Sequence, residues 1–211
     1  MPSSHSIILF MVSALALNLS PGPSILYILS RSLGQGREAG LVSVFGLATA
    51  TLIHAMATAL GLSTLFVYSP VAFAVVKYLG AAYLIYLGVS ALLSRGAFHT
   101  ATRASAAPLP LGAVYRQGVV TDLLNPKVAL FFISFLPQFV DPSAGSPTLQ
   151  ILFFGLLFHV TGVPVNLIVA LAGGRLAMLL ARRPSWARIQ SWISGTVLVA
   201  LGLRLALSEQ R

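Results

Sequence analysis

Six apolar runs, at residues 7–30, 41–67, 71–93, 114–140, 148–172 and 189–207, take up most of this chain. About 20 such residues in a helix cross roughly 30 Å of hydrocarbon, so each run is of the length that spans a bilayer. A helix satisfies its own backbone groups in lipid, and runs this long and continuous do not read as barrel strands. Composition agrees. Of 211 residues, 57% are hydrophobic and 8% charged, where a soluble domain carries about a quarter charged. Short linkers join the runs, so residues 1–211 read as one all-α transmembrane domain with six transmembrane helices.

The formal charge of +9 would suggest nucleic acid in a soluble protein. Here the arginines fall between the apolar runs. Arg31 and Arg37 follow the first run, Arg95, Arg103 and Arg116 the third, and Arg175, Arg182, Arg183 and Arg188 the fifth. The alternate gaps have none, and only Arg204 and Arg211 stand at the C-terminal end. This is the positive-inside pattern. It puts the three basic gaps in the cytoplasm and both termini outside, and it makes a lipid bilayer, not nucleic acid, the expected surroundings. The start, "MPSSHS", has no basic stretch of the kind that opens a signal peptide, so the first run reads as a retained span. With no cysteine, disulfides, iron–sulfur clusters and thiolate metal sites are excluded.

Two of the runs are interrupted by residues that break helices. The first contains "NLSPGP" (18–23), and the fourth contains Asn125, Pro126 and Lys127. Each break lies about 17 Å of helix into its run, near the membrane midplane. Ser20 before Pro21, and Asn125 before Pro126, read as N-caps followed by proline at the first helical position. Each break then starts a half-helix whose free N–H groups attract an anion, and Lys127 adds a full positive charge. The carbonyls that end the preceding half-helices suit a cation. A place offering both matches a zwitterion, which gives Ser20, Pro21, Gly22, Asn125, Pro126 and Lys127 as the expected substrate-binding residues. The alternative is a pair of proline kinks satisfied by neighbouring helices.

The two halves resemble each other weakly. "FGL" occurs at Phe45 and at Phe154, "YLIYLGVSALL" aligns loosely with "VLVALGLRLAL", and the broken runs correspond. Residues of about 7–93 and 114–207 therefore read as two inverted three-helix repeats, an arrangement common in secondary transporters.

"LSPGP", "KYLGAAYLIYLG" (77–88) and "GVVTDLLNPKVALFFISFLPQFV" (118–140) closely resemble the LysE/RhtB family of bacterial amino-acid exporters, most of all its homoserine/threonine branch. The resemblance covers nearly the whole chain. It implies six helices in the bacterial inner membrane and efflux of amino acids or derivatives coupled to the proton motive force. The family's motif positions fall on Pro21, Gly22, Lys77, Gly80, Asn125, Pro126 and Lys127. Some relatives place an acid in the fifth span where this chain has Gly162, so a coupling role there does not carry over.

Of the four acids, Asp122 alone lies within an apolar run. Ionisable groups at such depth are costly and are functional candidates. Asp122 reads either as the proton carrier or as a cap and counter-charge for Lys127 or Arg116. His54 and His159 sit in the repeat-equivalent second and fifth runs. Gly46, Ala50 and His54 make one small or polar stripe, and Gly155, His159, Gly162 and Asn166 another. Histidine titrates near neutral pH, so His54 joins Asp122 as a proton-coupling candidate. His159 and Asn166 are weaker candidates, with packing as the plainer reading of His159. Lys77 is a further one, set against simple anchoring by snorkelling to the outer interface.

No HExxH, GxSxG or Walker loop is present, so no catalytic residue, cofactor or ATP drive is expected. The expected activity is secondary active export of an amino acid or derivative, coupled to protons. A homo-oligomer is left open. Export of a divalent cation is a rival, although one intramembrane acid makes a poor cage and no metal site is read. A non-transporting membrane interaction protein is another, opposed by the cost of polar breaks in lipid that serve no cavity.

Overall fold

The computed structural model describes residues 2–68, 70–93, 108–182 and 184–207. Among these there are helices and no strands. In chain order they are α1 (Ser4–Leu19), α2 (Pro23–Gln35), α3 (Arg37–Tyr68), α4 (Pro70–Leu93), α5 (Leu111–Leu123) and α6 (Pro126–Leu130). A π-helical turn (Phe131–Phe135) and two 3₁₀ turns (Leu136–Phe139, Pro142–Ala144) lead to α7 (Pro147–Arg182) and α8 (Pro184–Leu207).

Arg37–Gly61 and Pro147–Gly173 are each long and apolar enough to cross a membrane alone. Two bent pairs bring the number to four. The α1/α2 pair is bent by 48°, and α5 with the segment Pro126–Phe139 by 46°. The described apolar parts of α4 and α8, Lys77–Leu93 and Ser191–Leu207, are shorter than a span. The helical class is therefore as expected, while six spans exceed what these lengths show.

Both breaks occur where they were expected, but the first has different chemistry. Ser20 does not cap a helix that starts at Pro21. It ends α1, its N–H bonding to the carbonyls of Ala16 and Leu17 (both 3.1 Å), and α2 starts at Pro23 with Gly22 in the cap position. The reason is the doubled proline. Each ring forces the residue before it into extended backbone, and both Ser20 (ψ 124°) and Gly22 (ψ −175°) obey. Helix can resume only after the second ring. The other break has one proline and follows the simpler rule: Asn125 is extended (φ −75°, ψ 106°) and its side chain accepts from the Lys127 N–H at 3.1 Å. The helix after it is not α throughout, changing to the π turn and then to 3₁₀ at Pro137.

Side chains such as Ile8, Phe45, Leu60, Leu79 and Leu156 stand exposed on the outside of the bundle, as helices immersed in lipid present them. Inside, one cluster joins Phe10 of α1 to Phe131, Phe135, Phe139, Phe154 and Phe158, and a smaller one joins Ile25, Ile28 and Leu29 of α2 to Val44, Leu47 and Val169. α4 packs along α8, and α3 lies against α5 and α7. The α3–α5 crossing is a glycine contact. A methyl at Gly46 would run into the Tyr115 carbonyl oxygen, and one at Gly118 would lie 3.0 Å from that of Ser43. Only bare backbone lets the two helices come so close.

Candidate substrate site

The two breaks meet. The first turn of α2, the end of α5, and facing side chains of α3 and α7 line a small cavity of about 30 Å³. One water needs about 10–15 Å³ on that measure, so two or three fit, and an amino acid does not.

Asp122, buried to 3% exposure, is the acid on the cavity wall. Its carboxylate accepts from the Ser24 hydroxyl (2.6 Å) and from the Thr51 hydroxyl (3.2 Å). Asn125 donates to Ser24 Oγ at 2.8 Å, so the cap of one break is tied to the first turn of the helix leaving the other. His54 does not line the cavity. Its Nε2 lies 3.2 Å from the Asp122 backbone oxygen and its ring stacks on Phe132 at 5.7 Å. It holds the backbone of Asp122 and does not touch the carboxylate.

Lys127 is buried and also lines the cavity. Its ammonium donates to the carbonyls of Leu17 (3.0 Å) and Ser20 (2.8 Å), the open end of α1. Gly22 lets it in, since a methyl there would stand 3.1 Å from Nζ. The carbonyls that the sequence suggested for a substrate cation are thus held by the lysine that it suggested for a substrate anion.

The opposite wall carries Asn18, His159, Gly162 and Asn166. Asn18 donates weakly to Thr161 Oγ1 at 3.4 Å, and His159 Nδ1 is buried without a hydrogen-bond partner among the described residues. A methyl on Gly162 would lie 3.1 Å from the Asn18 amide oxygen, so this glycine is packed against an amide. The apolar lining comes from Leu17, Ile25, Val128, Phe158 and Val163.

Of the residues singled out in the sequence, Asp122, Lys127, His159 and Asn166 line the cavity; Ser20, Gly22 and Asn125 support those that do; Pro21 and Pro126 shape the breaks. Lys77 is on α4, away from the lining. It does not run out to the interface, being buried to 6% exposure with Nζ 5.2 Å from the Tyr78 ring centre. Sequence reading missed Ser24, Thr51 and Asn18. No group of three histidine, cysteine or acidic side chains able to hold a metal occurs among the described residues.

A bundle of apolar helices, two of them broken around a small buried cavity with one acid and one lysine, has the architecture of a membrane transporter. The sequence profile of the LysE type translocators matches residues 15–209, and the chain belongs to that family. It is therefore a multi-pass membrane transporter and not an enzyme. Similar proteins include the leucine efflux protein of Salmonella typhimurium, 29% identical over 93% of this chain and 92% of its own length. That of Klebsiella pneumoniae is 28% identical with the same coverage. An uncharacterized membrane protein of Pseudomonas aeruginosa is 35% identical over 89% of this chain and 88% of its own. No solved structure matches.

Proposed function

We propose that the protein is a secondary active exporter of α-amino acids across the bacterial inner membrane, with Asp122 as the proton-carrying group. The observation that carries this reading is that Asp122 and Lys127 both line one small cavity at the junction of two broken helices. The carboxylate accepts from two hydroxyls and the ammonium donates to two carbonyls, so each charge has polar partners of its own. Such a site can exchange a proton and a zwitterion in turn. The apolar lining favours an aliphatic side chain, in keeping with relatives named for leucine rather than for homoserine or threonine. A divalent cation would find one carboxylate and a resident positive charge, which is unfavourable.

The finer architecture belongs to the same proposal: six spans in two inverted repeats. Two features support it. The bends of the broken pairs are nearly equal, 48° and 46°. The α4–α8 contact is reciprocal: a methyl on Gly88 would strike the Gly195 carbonyl (2.6 Å), and one on Gly202 would strike the Ala81 carbonyl (2.9 Å). Shifting Ala81 and Gly88 by 114 positions gives Gly195 and Gly202, so each contact maps onto the other, as a two-fold axis requires. The orientation keeps both termini periplasmic, by the arginine pattern. A single cysteine replacing Ser143, after the fourth run, should react with an impermeant reagent from outside. One replacing Ser105, which lies outside the described residues, should not; the reverse pattern would overturn the orientation.

The functional test is a metabolite profile of medium from cells overexpressing the protein against vector alone. One or two amino acids, aliphatic ones first, should accumulate. In vesicles, Asp122→Asn should abolish export driven by a proton gradient while the protein still inserts. Unchanged export against a gradient would remove Asp122 from the coupling role.

A further inference from the structure

The position of Lys127 points beyond a fixed anion-binding group. We propose that Lys127 is a tethered stand-in for the ammonium of the cargo. In this structure its Nζ fills the cation position at the end of α1, and it yields that position to the substrate's own ammonium, turning to the substrate's carboxylate. This rests on the amino-acid export reading above.

The geometry makes the exchange balanced. The carbonyls of Leu17 and Ser20 take two donors from Nζ, at 3.0 and 2.8 Å, and a primary ammonium from a substrate brings the same donors. Lys127 faces the cavity, so the arriving group and the leaving one share one space. An α-amino acid carries a carboxylate one carbon from its ammonium. When it takes the carbonyls, the released lysine has an anion within reach, and no buried charge is left without a partner. A simple alkylammonium cannot complete the exchange. It would expel Lys127 and leave two cations in the cavity against the single carboxylate of Asp122, a strongly unfavourable outcome. Lys127 thereby selects for zwitterions: the cation position opens only to a molecule that brings an anion. The lysine tail is guided by Gly22, whose backbone is extended (φ −160°) and accepts any residue, and whose missing side chain leaves Cε and Nζ their place.

The test uses full-length protein in nanodiscs and 3-methylbutylammonium, which is leucine's skeleton without its carboxylate. Thermal stability is followed as the amine is titrated into wild type, Lys127→Met and Gly22→Ala. Wild type should not respond. Lys127→Met, with the cation position unfilled, should be stabilised, and its apparent affinity for the amine should exceed that of wild type by at least about tenfold. Tetramethylammonium, which has no N–H, should do nothing to any of the three. Gly22→Ala, whose new methyl would stand 3.1 Å from Nζ and 3.4 Å from Cε, should push the tail aside and show a weaker response in the same direction. It also decides the matter if Lys127→Met fails to fold. An equal response in all three proteins, or none in the folded variants, would overturn the role of Lys127. Amino-acid export is measured on the same strains. Export without discrimination of the amine rejects this inference alone, whereas no export of any amino acid rejects the functional reading beneath it.

Discussion

The helices are held together by different materials on the two sides of the cavity. Towards the end of α2 the closure is a polar seam. Tyr27 donates to the Val114 carbonyl (2.6 Å), Arg31 Nη2 to Gln117 Oε1 (2.7 Å), and the Gln35 amide bonds both ways with the Leu109 backbone. Towards the start of α1 the closure is aromatic. Phe10 touches Phe131, Phe139 and Phe154 at ring separations of 5.7, 5.2 and 4.8 Å. A seam of hydrogen bonds opens onto water at a modest net loss, about 0.5–1.5 kcal/mol for a neutral bond and about 1.5–3 for the one from Arg31, because water replaces each partner. A wad of phenylalanines opened to water exposes apolar area at about 25 cal/mol per Å² and gets nothing in return. On the proposed orientation the seam faces the cytoplasm and the aromatic closure the periplasm. The difference then suits an exporter: easy loading from inside, and a costly outer door that resists back-flow.

Phe10→Ala strikes that comparison hardest. The side chain is fully buried, and its loss should cost about 3–5 kcal/mol of stability, as a phenylalanine cavity does. Vesicles carrying it should leak amino acid inward without a proton gradient. A tight, fully stable variant would show that the outer closure lies elsewhere. Gln117→Ala comes next. It removes a hydrogen bond to a charged group worth about 1.5–3 kcal/mol, so the seam end should open more often. Faster labelling of a cysteine at Ala48, on the cavity wall, from the cytoplasmic side, with export by the cysteine-free Gln117→Ala variant retained, is the expected readout. Slower labelling would mean that the seam does not control entry.

The smallest effect concerns Asp141, at the aromatic end. Its carboxylate accepts from the Ser143 hydroxyl (2.6 Å) and N–H (2.9 Å), which hold it below its ordinary value of 3.8. A depressed carboxylate contributes stability above its unfolded value, and that contribution is lost as pH falls through the lower folded value. The turn Pro142–Ala144 should therefore loosen only below about pH 4, and Asp141→Asn should leave neutral-pH transport within error. Hydrogen exchange of the Ser143 amide in acid and at neutral pH tests this.

How much of this was legible depends on whether the cause was local. Asn125 and Pro126 announce their cap because both causes lie in adjacent residues. Asp122 stood out as the only acid in an apolar run. The doubled proline misled, since either ring alone would start a helix and only the pair postpones it to Pro23. Ser24 and Thr51 were invisible because hydroxyls within spans usually bond back to their own helix, as Ser13 and Ser43 do here. Arg31 read as a topology signal, and nothing nearby in the chain reveals its partner Gln117, 86 positions away. The tie from Lys127 to the Ser20 carbonyl spans 107 positions and is likewise a product of folding alone.

The glycine crossing of α3 and α5 has a mechanical side. Gly118 stands four residues from Val114, where Tyr27 bonds, and four from Asp122, about 6 Å of helix in each direction. If α5 pivots on that crossing, backbone pressed on backbone is a fulcrum with arms of about equal length. A tilt of about 10° in α5 that parts Val114 from Tyr27 by roughly 1 Å swings Asp122 by the same amount the opposite way, past Ser24 and Thr51. A beam balanced in that fashion reports the opening of the seam to the carboxylate without any moving part between them.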